Sequence, residues 1–316
     1  MRILVSEPML PAALQRLQAH HEVDYRPTLF DQLDALVAAA PAADALIVCN
    51  RTQVRGALLA ALTRCRCVGR LGVGLDNLDV DGCRQRGITI LPATGANAQS
   101  VAEYVITTAM LLRRPGSYDV SDRTAAGHWP KPVASRGREL AGATLGIVGY
   151  GTIGQLTARL ALALGMTVIA STRDGAAAPA QPADGVPRLP LDALLACSDV
   201  VSLHVPLTPE NRGLINADQL ARMPPGAVLI NTARGGVVDA SALVAALKAG
   251  RLHGAALDVF EVEPLPAGSP FAQPLPNLLL TPHVGSSTIE SEWRVNDMVV
   301  TKVLAVLGAA AAPAGH

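Results

Sequence analysis

Three polar clusters in the second half of the chain hold an arginine, an acid and a histidine, each just after an apolar segment. Arg234 lies in Asn-Thr-Ala-Arg-Gly-Gly, Glu263 in Asp-Val-Phe-Glu-Val-Glu-Pro, and His283 in Thr-Pro-His-Val-Gly. An arginine fork binds a planar carboxylate at two points, and a histidine paired with an acid transfers protons near neutral pH. Beside a bound hydride carrier, these three residue types predict the reduction of a carbonyl that lies next to a carboxylate. Arg234 would anchor the substrate, His283 would be the acid and base, and Glu263 would hold His283.

Each of these residues also has a simpler explanation when it is taken alone. Arg234 could pair with Asp239, Glu263 could be a surface acid, and His283 could be a turn residue. The functional interpretation is favoured because all three follow successive predicted strands, whose ends lie on one edge of a parallel sheet.

A glycine pattern predicts the hydride carrier. Thr144–Val148 is a short apolar strand, three spaced glycines follow at 149, 151 and 154, and a helical pattern runs on to Leu164. The first glycine allows a tight turn, the second admits a pyrophosphate to the backbone, and the third lets the helix pack closely on the sheet. The alternative is a glycine-rich turn that binds nothing. The turn predicts cofactor contacts from Gly149, Tyr150, Gly151, Thr152, Ile153 and Gly154.

Composition and periodicity indicate the scaffold that positions these groups. The chain has 316 residues, which favours two domains, and 50% of them are hydrophobic but only 3% aromatic. Strand and helix patterns alternate from Ile3 to Leu307, which is typical of parallel sheets with helices on both faces. We therefore predict an α/β protein with two doubly wound parallel-sheet domains.

Charge and cysteine content exclude several partners. The 26 basic and 26 acidic residues cancel, so neither nucleic acid nor an anionic membrane is expected as a partner. The five cysteines lack Cys-x-x-Cys spacing, and we expect reduced thiols and no metal site. The N-terminus lacks a signal-peptide pattern and no apolar run reaches membrane-spanning length, so the sequence predicts a cytoplasmic protein.

Two loops in the first half follow predicted strands and could hold a substrate. One is Asn50–Thr52, which contains Arg51, and the other is rich in glycine around Val73 and Gly74. Ligands of open parallel sheets bind beyond the carboxyl ends of strands, and backbone N–H groups near Val73 could form an anion-binding nest. A plain turn and a surface arginine explain the same residues equally well.

The long motifs closely resemble the D-isomer-specific 2-hydroxyacid dehydrogenases over nearly the whole chain. They are Gly149–Gly154, Leu229–Asp239, Ala256–Pro264 and Thr281–His283, with support from Val68–Asn77 and Asn97–Glu103. The resemblance implies a Rossmann-type dinucleotide domain (98–285) inserted in a flavodoxin-like substrate domain (1–97 and 286–316), a catalytic Arg, Glu and His, and a homodimer. It also implies cofactor contacts from His204, Val205, Pro206, Thr208, Thr232, Ala233 and Asp258, and substrate contacts from Arg51, Val73, Gly74 and Asn97.

Within the family the sequence is most similar to phosphoglycerate dehydrogenases, but we expect it to lack their C-terminal regulatory extension. A basic residue at Arg51 predicts a small 2-hydroxy acid with a second anionic group, such as a phospho- or sulfolactate-like compound. A glyoxylate or hydroxypyruvate reductase is the simpler alternative. A cofactor-sensing, corepressor-like protein without turnover is the non-enzymatic alternative, against which the intact Arg234, Glu263 and His283 argue.

The second strand of the dinucleotide unit bears on cofactor choice. An acid that bonds the ribose hydroxyls usually lies about 20 residues past the last glycine. Here Thr172 stands 18 residues past Gly154, and Arg173 follows it. With no acid to repel a 2′-phosphate and a cation beside it, NADP is favoured. NAD remains possible because Asp174 comes next.

Overall fold

The structure is a computed structural model that describes residues 1–114, 116, 120–171 and 184–308. The chain divides into two compact units. The first consists of Met1–Asn97 and Ser287–His316, and the second of Ala98–Ser286. Each unit is built around its own parallel sheet.

The first unit contains a five-stranded sheet of order β2-β1-β3-β4-β5 in which all neighbours run parallel. Its strands are β1 (Arg2–Val5), β2 (Glu22–Tyr25), β3 (Ala45–Val48), β4 (Cys67–Arg70) and β5 (Thr89–Pro92). Its helices are α1 (Pro11–Gln18), α2 (Leu33–Ala39), α3 (Gly56–Ala61), α4 (Val80–Gln85) and the late α12 (Ile289–Leu307), with 3-10 turns at Leu29–Asp31 and Ala40–Ala42. This strand order is that of flavodoxin-like sheets.

The second unit contains a seven-stranded parallel sheet of order β12-β11-β10-β9-β6-β7-β8. Its strands are β6 (Thr144–Val148), β7 (Thr167–Ser171), β8 (Arg188–Leu189), β9 (Val200–Leu203), β10 (Val228–Asn231), β11 (Gly254–Leu257) and β12 (Leu278–Leu280). Its helices are α5 (Ala98–Leu112), α6 (Ser121–Ala125), α7 (Lys131–Ala134), α8 (Thr152–Ala163), α9 (Leu191–Cys197), α10 (Ala217–Arg222) and α11 (Ala240–Lys248), with a 3-10 turn at Gly235–Val237. Numbered from its first strand, the sheet has the 3-2-1-4-5-6 order of dinucleotide-binding folds with one further strand at the edge.

Both sheets are covered by apolar clusters on two faces. In β3, Ala45 and Ile47 join one cluster, while Leu46 and Val48 join another. In the second unit, Leu229 of β10 packs on the face opposite to its two neighbours in the strand. Side chains alternate along a strand, so a sheet buried on both faces reads as a continuous apolar run. The predicted α/β class, with two doubly wound parallel sheets, is confirmed.

Several helices differ from the sequence prediction. The glycines and prolines of the interval from 115 to 138 predict an irregular connection, but the interval contains α6 and α7. Neither α4 nor α10 was predicted, because six residues are too few for a clear helical period. Each nevertheless has a side-chain cap: Asp79 accepts a hydrogen bond from Gly82 N, and Asn216 accepts one from Asp218 N. Of the helices in the described residues, none is long and apolar enough to cross a membrane.

The parallel strands of the second unit place five chain segments at one edge of its sheet. Gly149, His204, Thr232, Asp258 and Thr281 each follow the carboxyl end of a strand. In such sheets this edge is where ligands bind. The neighbours β10, β11 and β12 therefore carry the arginine, acid and histidine motifs side by side.

Candidate active site

Two glycines of the turn after β6 are required by packing inside the protein. Gly149 has a φ of 98°, and a Cβ there would lie 2.6 Å from the carbonyl oxygen of His204. A Cβ on Gly154 would lie 2.4 Å from the carbonyl oxygen of Gly149. Any side chain at either position would push the turn away from its neighbours.

Gly151 differs from these two, because packing does not explain it. Among the described residues no heavy atom lies within 4 Å of the position where its Cβ would be. It directly precedes α8, whose first turn of backbone N–H groups and positive dipole end suit a phosphate. The missing side chain leaves open space beside these donors. A dinucleotide pyrophosphate would therefore fit this turn, where the backbone N–H groups of Thr152 and Ile153 belong to the first turn of α8 and Tyr150 directly precedes Gly151.

The loop from His204 to Thr208 lies directly against this glycine turn. His204 N donates to the carbonyl of Val148 at 2.7 Å, and the Nε2 atom of its ring is 2.9 Å from Ser202 Oγ. Burial lowers the pKa of His204 to about 4, so its ring is neutral at pH 7. The Asn211 side chain closes the far end of the loop through Pro206 O, and Asn211 N donates to Thr208 Oγ1. The structure thus brings two of the predicted cofactor segments together.

Arg234 is positioned by the asparagine that ends β10. The side-chain oxygen of Asn231 accepts a hydrogen bond from Ala233 N at 3.0 Å, and its amide donates to Arg234 O at 2.9 Å. The Arg234 guanidinium donates from Nη1 to Ala233 O at 2.6 Å. This turn also holds Thr232, whose hydroxyl oxygen is buried with no protein partner among the described residues. Asp239, considered above as a partner for Arg234, instead caps α11 through Ala242 N.

Gly235 brings the arginine turn against the acidic loop that follows β11. A Cβ on Gly235 would lie 1.9 Å from the carbonyl carbon of Phe260 and 2.2 Å from the backbone nitrogen of Glu261. Only a glycine permits this approach of two backbones. The Arg-Gly-Gly sequence is therefore explained by packing as well as by chemistry.

Glu263 and His283 form a hydrogen-bonded pair. Glu263 Oε2 lies 2.8 Å from His283 Nδ1, and Glu263 Oε1 accepts a hydrogen bond from Phe260 N at 2.9 Å. Both carboxylate oxygens are thus engaged, which fixes the acid. When Nδ1 carries a proton and donates the hydrogen bond to Glu263, Nε2 is the ring nitrogen that can exchange a proton with a ligand. The His283 side chain is 45% exposed and the Glu263 side chain is 35% exposed, so a ligand can reach them.

The loop that carries His283 is held by a buried carboxylate. Asp258 is 2% exposed, and it accepts hydrogen bonds from the Thr281 hydroxyl at 2.6 Å, Val284 N at 2.8 Å and Gly285 N at 2.7 Å. His283 itself has a φ of 59°, a left-handed conformation that non-glycine residues adopt rarely. The Asp258 contacts stabilise this loop around the unusual backbone.

Tyr104 of α5 extends this network. Its hydroxyl oxygen is 2.5 Å from Thr281 Oγ1. The Thr281 proton goes to Asp258, so the tyrosine must be the donor to Thr281. Burial raises the pKa of Tyr104, which keeps the hydroxyl protonated. No sequence pattern indicates a role for Tyr104, because it lies 177 positions from its partner.

The comparisons with known proteins identify the family of the chain. Residues 107–285 match the family described as D-isomer specific 2-hydroxyacid dehydrogenase, NAD binding domain. The chain belongs to this dehydrogenase family. It is therefore an oxidoreductase that transfers hydride between a nicotinamide cofactor and a small 2-hydroxy or 2-oxo acid, as the motifs predicted.

Three similar proteins show how far the likeness to the dehydrogenase family extends. An (S)-sulfolactate dehydrogenase of Chromohalobacter salexigens is 47% identical over 312 residues, covering 97% of this chain and 98% of the relative. A D-3-phosphoglycerate dehydrogenase of Mycobacterium tuberculosis is 39% identical over 97% of this chain, which spans only 57% of that relative. A glyoxylate/hydroxypyruvate reductase of Sinorhizobium meliloti, solved with NADP and malonate, is 30% identical with a TM-score of 0.82 and coverage of 96% and 92%.

In the first unit of this dehydrogenase, a second buried carboxylate holds the loop with Arg51. Glu7 is 1% exposed, and it accepts hydrogen bonds from Cys49 N and Thr52 N at 2.9 Å and from Arg51 N at 3.1 Å. The Arg51 side chain itself is 59% exposed. Its Nη2 lies 3.1 Å from Asp31, and its Cζ lies 3.8 Å from the centre of the Phe30 ring. The backbone of this loop is fixed, while the side chain is held only by surface contacts.

The remaining predicted substrate residues also lie in the first unit. Val73 and Gly74 are partly exposed, and none of the backbone hydrogen bonds formed by the described residues uses their N–H groups. This is the condition for an anion-binding nest. Asn97 stands directly before α5. The predicted cofactor-specificity residues, Thr172 and Arg173, lie outside the described residues.

Proposed function

We propose that the chain oxidises a small 2-hydroxy acid with a second anionic group, or reduces the matching 2-oxo acid. A sulfolactate-like compound is the first candidate. The observation that carries the chemistry is the Glu263–His283 pair at 2.8 Å, on the same sheet edge as the Arg234 turn and the glycine turn after β6. The sulfolactate dehydrogenase that is 47% identical over nearly the full length supports the choice of substrate.

The residues divide the reaction among them. Arg234 would bind the substrate carboxylate through two parallel hydrogen bonds and draw electron density from the neighbouring carbonyl. In the oxidative direction, His283 Nε2 would accept the hydroxyl proton while the carbon gives up its hydride and the C–O bond becomes a carbonyl. Glu263 would favour the protonated imidazole that results. The nicotinamide, when bound, supplies or accepts the hydride.

The proposed cofactor contacts follow the sheet edge of the second unit. The N–H groups next to Gly151 would take the pyrophosphate, and the neutral His204 loop would border it. Thr232 and Ala233 follow β10 and Asp258 follows β11, and we assign them to the nicotinamide end. The buried Thr232 hydroxyl supports this assignment, because it has no partner among the described residues and a ligand would supply one.

The proposed selection of the substrate rests on the first unit. Arg51 would recognise the second anionic group, the N–H groups of Val73 and Gly74 would bind a carboxylate, and Asn97 would add a polar contact. Breaking the exposed Arg51–Asp31 pair costs at most about 1 kcal/mol, so the guanidinium is available to a ligand.

Two other functions remain as alternatives. A glyoxylate or hydroxypyruvate reductase needs no second anion site, and the 30% identical reductase of Sinorhizobium meliloti favours it. A cofactor-sensing, corepressor-like protein would keep the glycine turn without turnover. The ordered Glu263–His283 pair argues against the sensor, because such a protein has no use for a proton-transfer group.

For the cofactor we propose NADP, with NAD as the alternative. The reason is that Thr172 stands where an acid usually bonds the ribose hydroxyls, and the cation Arg173 follows it. The reductase solved with NADP supports this choice, while the matched domain is described as NAD binding. Measuring kcat/KM with both cofactors decides it, and a strong NAD preference would refute the role of Arg173. A homodimer and a cytoplasmic location stay predictions.

A panel of 2-hydroxy and 2-oxo acids with both cofactors tests the function. The change in absorbance of the reduced nicotinamide reports turnover. We expect kcat/KM for sulfolactate or phosphoglycerate to exceed that for lactate. A preference for glyoxylate or hydroxypyruvate would select the reductase, and cofactor binding without turnover on any acid would select the sensor.

A further inference from the structure

We propose a second anion site in the unit of residues 98–286, at the edge of its sheet opposite to the glycine turn. A cavity of about 250 Å³ lies there, and we infer that it binds a small, doubly charged tetrahedral oxyanion such as inorganic phosphate or sulfate. The cavity is lined by Arg113, Arg136, Arg138, Pro225, Gly226 and His253.

The cavity is separate from the candidate active site. Gly226 and His253 come shortly before the amino ends of β10 and β11, whereas Arg234 and Asp258 follow the carboxyl ends of the same strands. Since all strands of this sheet are parallel, the two sites lie at opposite edges. Nothing in the proposed reaction uses the arginines of the cavity.

The arginines are brought together by a segment tied to the end of α5. Arg113 is 7% exposed, its Nε donates to Glu139 O at 3.1 Å, and its own carbonyl accepts from Arg138 N at 2.7 Å. Between the arginines, a Cβ on Gly137 would lie only 3.3 Å from Arg114 Cα, so the segment packs tightly on the helix end. The approach of Arg136 and Arg138 to Arg113 is thus built into the backbone.

The positive charge of this cavity exceeds the negative charge beside it. Asp199 Oδ1 is 3.7 Å from Arg113 Nη1, and its Oδ2 accepts a hydrogen bond from Thr144 N. The ion pairs of the described residues include neither Arg136 nor Arg138. Among the described residues, the lining of the cavity thus includes three guanidinium groups and no carboxylate. Burial lowers the pKa of His253, and Arg113 and Arg138 lower it further.

The chemistry and the size of the cavity indicate the ligand class. Guanidinium forks match the oxygens of a tetrahedral oxyanion and bind them with charge-assisted hydrogen bonds. Pockets for organic ligands usually measure about 300–1,000 Å³, so this cavity suits a smaller ion. A dianion placed among the arginines would offset the positive potential at His253 and raise its pKa.

An NMR titration of the full chain tests the site. The His253 imidazole is followed, with His253→Asn for assignment, while inorganic phosphate is added and the oxidised cofactor is held at saturation to occupy the glycine turn. Sulfate forms a second arm, and chloride at equal ionic strength is the salt control. We expect a saturable shift with a dissociation constant of roughly 1 mM or tighter and a raised His253 pKa. Saturation by phosphate alone, or by sulfate alone, would identify which ion the site takes.

The double variant Arg136→Gln and Arg138→Gln should weaken phosphate binding by about tenfold or more, because two of the three guanidinium groups are lost. Both residues are exposed, so we expect the fold to stay intact. Arg222→Gln is the matched control, an exposed arginine of the same unit that pairs with Asp192 outside the cavity. A linear, unsaturated shift, an equal response to chloride or unchanged binding in the double variant would overturn the site. A phosphate response that disappears on dilution of the protein would also overturn it, because the site would then require a second copy of the chain.

Discussion

The loop at residues 49–52 in the first unit and the loop at residues 281–285 in the second are each held by a buried carboxylate. Glu7 accepts hydrogen bonds from three backbone N–H groups. Asp258 accepts them from two backbone N–H groups and from one threonine hydroxyl. The two loops differ in how firmly their functional side chains are held. His283 is fixed by Glu263, whereas Arg51 is 59% exposed and held by a surface pair.

This difference indicates a division of labour between the two units. A proton-transfer group must stand in the correct place before the reaction begins, because small displacements cost large factors in rate. A group that recognises a second anion can swing onto its ligand at a small cost in free energy. We therefore expect His283 to control the rate for every substrate and Arg51 to control the choice among substrates.

The largest expected effect is on kcat, from the loss of His283. His283→Asn removes the proton-transfer nitrogen, and kcat should fall by roughly 10²–10⁴ with all substrates. Steady-state kinetics measure this, and His20→Asn, an exposed histidine in the first unit, is the control. Near-normal kcat in His283→Asn would remove the catalytic assignment.

Asp258→Asn tests the carboxylate that holds the catalytic loop. An amide group would face the donors of residues 281–285, so the free energy of unfolding should fall by about 2–4 kcal/mol. Since the His283 loop loses its anchor, kcat should also fall by more than about tenfold. Urea unfolding and kinetics measure the two effects. Asp239→Asn is the matched control, because asparagine caps a helix as well as aspartate does.

Glu7→Gln is the counterpart in the first unit and should have a smaller effect on the rate. The amide would face the N–H groups of residues 49–52, which should lower the free energy of unfolding by about 1–3 kcal/mol. The KM for substrates with a second anion should rise, while kcat changes by less than about twofold, because the proton-transfer pair is untouched. If kcat falls as far as in Asp258→Asn, the two loops do not differ in the way described.

The sequence predicted the sheets well because their central strands are buried on both faces and read as plain apolar runs. The closing helix, Ile289–Leu307, has a similarly clear pattern, since its buried residues recur at helical spacing. Its boundaries are marked by the Thr288 cap and by Gly308. Strand β8 could not be found, because its two residues are too few for any period.

The site was predicted only where a local motif carries it. Arg234, Glu263 and His283 stand in recognisable segments, but their supports depend on contacts that no local pattern encodes. Glu7 reads as an ordinary acid near a terminus, and its partners lie more than 40 positions away. Tyr104 meets Thr281 only after the chain has passed through the whole second sheet. Folding, not spacing, brings these groups together.

The most direct test of this division is the ratio of kcat/KM for sulfolactate to that for lactate, measured in the wild type, Arg51→Gln and His283→Asn. We predict that Arg51→Gln lowers the ratio by about tenfold, with lactate turnover nearly unchanged, because one charge-assisted contact is lost. His283→Asn should depress both substrates and leave the ratio as it was. An unchanged ratio in Arg51→Gln, or a changed one in His283→Asn, would contradict the account.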